Sequence, residues 1–178
     1  MNNLVVLPMA IPVLVGIILI FFRNQVVFQR VLTLLTMVAN IGIAVYLLNM
    51  IQTDGIQRLD FGGWEPPFGI LFVADSFSVI LVLTTSVVAS VILIYAFASI
   101  GKAHERMFFY SFVNFLIAGV NGSFLTGDLF NLYVCFEIML LSSYVLIAFG
   151  GRKVQLRESL KYVLINVLSS WFLLIAIA

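Results

Sequence analysis

Residues 127–151 read "GDLFNLYVCFEIMLLSSYVLIAFGG", a stretch apolar enough to cross a membrane that carries a carboxyl group, Glu137, near its middle. A helix over 129–150 entered from Asp128 raises Glu137 about 13 Å at 1.5 Å per residue. Half of a bilayer core is about 15 Å, so the carboxyl lies near the midplane. Insertion scales charge about 2.5–3.5 kcal/mol for an acidic residue there. Ionised, the group needs a cation, water or hydrogen-bond donors; otherwise it takes up a proton. Intramembrane ionisable residues mark proton relays and ion paths by default. A protonated carboxyl acting only as interhelical glue is the competing reading.

The rest of the chain agrees with a membrane span. Of 178 residues, 63% are hydrophobic and 10% charged, against roughly 45–50% and 25% in soluble domains. Charge-free runs cover 1–22, 31–53, 76–101, 107–127 and 162–178. About 20 apolar residues cross a bilayer as helix, where backbone polar groups are satisfied internally. The expected fold is an all-α polytopic membrane protein with six helices at 4–22, 31–51, 76–101, 107–127, 129–150 and 162–178. The first run has no basic leader and ends "IFFR", which reads as a retained helix and not a signal peptide. The last run stops at Ala178 still apolar, so the chain is expected to be incomplete at its C-terminus.

Basic residues fix the expected orientation. Arg23, Arg30, Lys102, Arg106, Arg152, Lys153, Arg157 and Lys161 fall on one side, and only Arg58 on the other. The positive-inside rule puts the eight in the cytoplasm and the N-terminus outside. The external segment 52–75 contains Gly62-Gly63 and Pro66-Pro67 turns, interfacial Phe61, Trp64 and Phe68, and a short strand in "FGILFV". Asp75 and Asp128 read as helix N-caps, with ion binding as the alternative.

Around Glu137, a 100° helical step puts Tyr133 and Tyr144 on its side and Asn131 with Ser142 on an adjacent stripe. Helix 4 offers Asn121 within "AGVNGS", where Ala118 and Gly122 form a small-xxx-small pair. Asn166, Ser169 and Ser170 give helix 6 a polar stripe. Helices 4, 5 and 6 are therefore expected to surround one hydrated region, with Tyr133, Tyr144, Asn131, Ser142 and Asn121 as supporting candidates. His104, beside Glu105 and Arg106, reads as solvated, with cytoplasmic proton uptake as its other role. One cysteine, no His cluster and no phosphate loop give no expected cofactor or metal. A net charge of +1 gives no nucleic-acid partner. Enzyme chemistry has no motif.

The segments "GSFLTGDLFNLYVCFEIMLLSSYVLIAFGG", "QLRESLKYVLINVLSS" and "WEPPFGILFVADSFS" resemble the D subunit of Mrp-type multisubunit sodium/proton antiporters, a superfamily shared with the antiporter-like subunits of respiratory complex I. The resemblance implies a fold of about fourteen helices with inverted repeats, of which this chain holds the N-terminal part. It implies exchange of cytoplasmic Na+ for external H+ in a bacterial cytoplasmic membrane, with sister subunits and lipid as partners. It carries over Glu137 as the proton switch, working with a lysine on a later helix. A proton-pumping subunit of an NADH dehydrogenase or hydrogenase complex, and a non-transporting membrane scaffold, are the alternatives.

Overall fold

A computed structural model describes residues 3–63, 69–101, 104–151 and 153–177. A 3-10 turn, Asn3–Val6, leads into α1 (Leu7–Phe21) and then α2 (Val26–Asp54). A hairpin of β1 (Gln57–Asp60) and β2 (Leu71–Ala74) follows, then α3 (Ser76–Ser99), α4 (Tyr110–Leu125), α5 (Leu129–Ile147) and α6 (Lys153–Ile177). Six helical segments among the described residues are long and apolar enough to span a bilayer. Large apolar side chains such as Leu14, Phe21, Val91, Ile94 and Phe172 are exposed along them. In water such a surface would drive aggregation, whereas in a bilayer it meets lipid.

Two helix starts differ from the sequence expectation. α2 begins at Val26 and not near 31, so Arg30 lies inside the helix. α6 begins at Lys153 and not near 162. There the charged stretch is helical because Glu158 pairs with Lys161 one turn on, at 2.9 Å, and with Arg157 at 3.2 Å. Such pairs let charges ride on a helix face and break the equation of charge with loop. α5 is shorter than expected, closing at Ile147. The interfacial Trp64 and Phe68, the Pro66-Pro67 turn, Lys102 and Arg152 lie outside the described residues.

The strand in "FGILFV" is present as β2. Its partner β1 is antiparallel, with Gln57 opposite Ala74 and Asp60 opposite Leu71. The hairpin is a cap on the bundle: Leu59, Phe72 and Ala74 are buried with Val5, Leu47, Val79 and Leu125. The Gly127 N–H donates to Leu71 O at 2.8 Å, tying β2 to the turn that starts α5.

Pro12 inside α1 organises the centre of the bundle. A proline has no N–H, so the carbonyl four residues earlier loses its intrahelical donor. That carbonyl, Pro8 O, instead accepts from Asn40 Nδ2 on α2 at 3.2 Å and from Asn121 Nδ2 on α4 at 2.9 Å. Both asparagines are fully buried. In hydrocarbon an unsatisfied carbonyl costs several kcal/mol, so the break in α1 becomes a three-helix joint.

Asp75 caps α3 as expected. Its carboxylate accepts from Ser78 N at 2.7 Å, and Ser78 Oγ returns a contact to Asp75 N at 3.1 Å. The Ser78 hydroxyl and amide hold the Asp75 carboxyl below its ordinary range. A depressed value makes this contribution present above about pH 4, the unfolded value, and lost as pH falls through the native one. Asp75→Ala is expected to cost about 1 kcal/mol, with Asp75→Asn closer to wild type, in thermal unfolding of the purified protein at pH 7. The Ala penalty should shrink as pH falls below 4.

Candidate functional site

α5 is held by two features at its start and along one flank. Asp128 caps it, accepting from Phe130 N at 3.2 Å and Asn131 N at 3.1 Å. Its flank against α4 is close enough to require glycine. A Cβ built on Gly119 would lie 2.8 Å from Cys135 O and Met139 N, and one on Gly122 would lie 2.7 Å from Cys135 Sγ. Backbone cannot retreat as a side-chain tip can, so Gly119 sets the α4–α5 distance. The sequence pair Ala118 and Gly122 pointed to the right helix; Gly119 is the position that touches backbone.

That packing decides where Glu137 points. Cys135, Met139 and Ser142 share the α4-facing flank. Glu137 is two residues past Cys135, about 200° around the helix. It therefore faces away from α4, half-buried, on the flank that turns towards α6 and the open side of the bundle. Tyr144 on this flank is buried and packs its ring on Tyr162 of α6, centroids 5.6 Å apart. Ser159 Oγ of α6 lies 3.5 Å from Tyr144 O. Tyr133 lines a cleft of about 210 Å³ with Asn166, Ser169 and Ser170 of α6. Phe130 and Leu141 complete the flank, both exposed. Among the described residues, no hydrogen bond or ion pair engages the Glu137 carboxyl.

The five supporting candidates separate into two groups. Tyr133 and Tyr144 share the flank of Glu137. Asn131, Ser142 and Asn121 do not. Asn131 Nδ2 donates to Thr126 Oγ1 at 2.9 Å and belongs to the cap. Ser142 Oγ donates back to Ile138 O at 2.8 Å, on the α4 side. Asn121 is committed to Pro8 O. The expected enclosure of Glu137 by helices 4, 5 and 6 is thus an α5–α6 cleft, with α4 behind it.

A second carboxyl was missed by sequence reasoning. Glu105, expected in a solvated loop, is fully buried. Arg30 Nε donates to its Oε2 at 2.9 Å and Nη2 engages Oε1, a two-point clasp. The same Nη2 donates to Phe97 O at 2.9 Å, and the guanidinium lies over the Phe97 ring, 5.3 Å from its centroid. Glu105 opens a π-helical turn, Glu105–Phe109, in which Phe108 is left-handed at φ 64°. α2, α3 and the start of α4 are tied at one end by this pair. The signal available beforehand was two opposite charges, Arg30 and Glu105, each bordering an apolar run on the same side. His104 beside it is exposed and lines a separate cleft of about 530 Å³ with Tyr144 and Phe149. Among the described residues, no cluster of His, Cys, Asp or Glu suits a metal ion.

Six helices fit to span a bilayer, a proline inside the first and one half-buried carboxyl on a central span describe a multi-pass membrane unit. Residues 126–178 match the family model described as NADH:quinone oxidoreductase/Mrp antiporter, transmembrane. The chain is 48% identical over 177 residues to the D subunit of the Na+/H+ antiporter of Bacillus subtilis (strain 168), covering 99% of this chain and 36% of that protein. It is 49% identical over 178 residues to the corresponding D subunit of Alkalihalophilus pseudofirmus, covering 100% and 36%. A chain in the Mrp complex of Dietzia sp. DQ12-45-1b superposes with a TM-score of 0.87 at 30% identity, covering 96% of this chain and 32% of that one. An archaeal membrane-bound sulfane sulfur reductase shares the fold alone, at TM-score 0.79 and 24% identity. The chain is similar along its whole length to these D subunits of Na+/H+ antiporters, and it spans about a third of their length.

The Arg30–Glu105 clasp yields a stability prediction. Removing Arg30 leaves the buried Glu105 carboxylate uncompensated, so Arg30→Met is expected to cost about 3 kcal/mol. The apolar double variant Arg30→Met/Glu105→Leu should recover most of that, read by thermal unfolding of the purified protein in lipid nanodiscs.

Proposed function

We propose that the chain is the N-terminal part of a D subunit in a multisubunit cation/proton antiporter, exchanging cytoplasmic Na+ for external H+. The observation that carries the reading is Glu137: a half-buried carboxyl on a spanning helix, on the flank that packing with α4 leaves free. The relatives named as D subunits of Na+/H+ antiporters support the exchange chemistry. The excess of basic residues on one side supports an external N-terminus. The protein would then work as a secondary transporter in a bacterial cytoplasmic membrane, beside sister subunits.

The chemistry asked of Glu137 is a change of charge state as its surroundings change. An ionised carboxyl near the midplane needs a counter-charge or water, and a protonated one needs neither. A lysine on a later helix, as the family resemblance implies, would provide the counter-charge. At an effective dielectric near 20 and about 4 Å, such a pair is worth about 4 kcal/mol. Moving that lysine away favours protonation of Glu137; returning it favours release. Tyr133 and Tyr144, on the same flank, would donate to the ionised form or order water beside it, while Asn131, Ser142 and Asn121 would hold helices in position.

Sodium-dependent proton movement in inverted vesicles bearing the complete complex tests the reading. Glu137→Gln is expected to assemble and reduce exchange to background, and Glu137→Asp to retain part of it. Normal exchange by an assembled Glu137→Gln complex would reduce Glu137 to interhelical glue. Asn131→Ala and Ser142→Ala should affect thermal stability more than exchange.

A further inference from the structure

Away from Glu137, buried polar atoms without a protein partner gather in the α1–α2–α4 bundle: Asn40 Oδ1, Asn121 Oδ1, Asn114 Oδ1 and Ser111 Oγ. All four residues are 0–1% exposed. The amide orientations are fixed by acceptors that cannot donate. Asn40 and Asn121 turn Nδ2 to Pro8 O, and Asn114 turns Nδ2 to Tyr110 O at 2.8 Å. Flipping any of these amides would set oxygen against oxygen, so the free groups are carbonyl oxygens in need of donors. The neighbouring backbone N–H groups are spent within the helices.

The four atoms fall into two stations. Asn114 and Ser111 lie within one turn of α4, where Asn114 Nδ2 also reaches Thr33 Oγ1 of α2 at 3.2 Å. Asn40 and Asn121 meet at Pro8. Seven residues separate the stations on each helix, Thr33 to Asn40 and Asn114 to Asn121, about 10 Å of rise. Between them sit Met37 and Ile117, packed in one apolar cluster with Leu19 and Leu93. A hydrogen-bonded water reaches about 2.8 Å, so no single water joins the stations.

We propose that this bundle binds internal water at two separate stations, one donating to Asn114 Oδ1 beside Ser111, the other to Asn40 Oδ1 and Asn121 Oδ1. Buried waters occupy sites of this kind, making two to four bonds to groups that protein alone leaves unsatisfied. In hydrocarbon the need is sharper, because bulk water does not reach the group. A dehydrated cation fits less well: the oxygens at both stations are neutral and few, leaving its desolvation uncompensated. With Met37 and Ile117 between them, the two waters brace three helices and do not conduct protons along the bundle. The proposal stands independently of the role of Glu137.

The test is electron cryo-microscopy of the complete complex at a resolution that shows ordered water, in sodium buffer and in choline buffer. Density within hydrogen-bonding distance of Asn114 Oδ1, and of Asn40 or Asn121 Oδ1, in both buffers is the expected result. Density at a station only in sodium would make it a cation site and overturn the proposal there, as would a station with none. The Asn114→Leu complex should lose the first density and keep the second; a first density that persists contradicts its assignment. A measurement on wild type alone covers failed assembly of that variant.

Discussion

Every polar group in the hydrocarbon layer must find its partner inside the protein, and this bundle is arranged around the places where that is hardest. The sharpest is Pro12. By removing one N–H it frees Pro8 O, and the two asparagines that answer it join α1 to α2 and α4. The same constraint governs Arg30 and Glu105, whose charges would be costly alone at a helix end and are tolerable as a clasp. Glu137 differs from both. Its carboxyl is left without a protein partner among the described residues, on a helix whose other flank is fixed by backbone contact at Gly119.

That contrast separates the scaffold from the flank proposed to change its proton occupancy. α1 to α4 carry the joint at Pro8, the Arg30 clasp and the hairpin cap, and they present a rigid wall to one side of α5. On the far flank of α5, Glu137 shares a cleft with tyrosines and with the polar stripe of α6, whose surface is largely uncovered in this chain. A carboxyl meant only to hold helices together would be expected at the α4 contact, where Cys135 and Met139 are found. Its position opposite that contact suits the proton-transfer role proposed for it.

Much of this was legible in the sequence, and the gaps have physical reasons. Five charge-free runs, and a sixth run broken only by Glu137, located the spans, because hydrocarbon tolerates few charges. The same logic misplaced the starts of α2 and α6, since Arg30 and the Arg157–Glu158–Lys161 group neutralise themselves by pairing and continue the helix. Glu105 reads as solvated from sequence because its partner is 75 residues away, a pairing that no local pattern reveals. β2 was visible as an apolar run after glycine and proline, but β1, "QRLD", has no strand-like pattern and forms because β2 offers it an edge. Helical periodicity put Tyr133 and Tyr144 beside Glu137. It did not assign Asn121, because the vacancy it answers was created by a proline on another helix.

The central claim is that Glu137 changes its protonation state during exchange. Infrared difference spectroscopy of the complete complex in lipid, triggered by sodium addition at fixed pH, reads that directly through the carboxyl C=O stretch. The account predicts a protonated-carboxyl band that changes on sodium addition, shifts in Glu137→Asp and is absent in Glu137→Gln. An identical difference band in the Glu137→Gln complex, or no carboxyl change in wild type during active exchange, would contradict it.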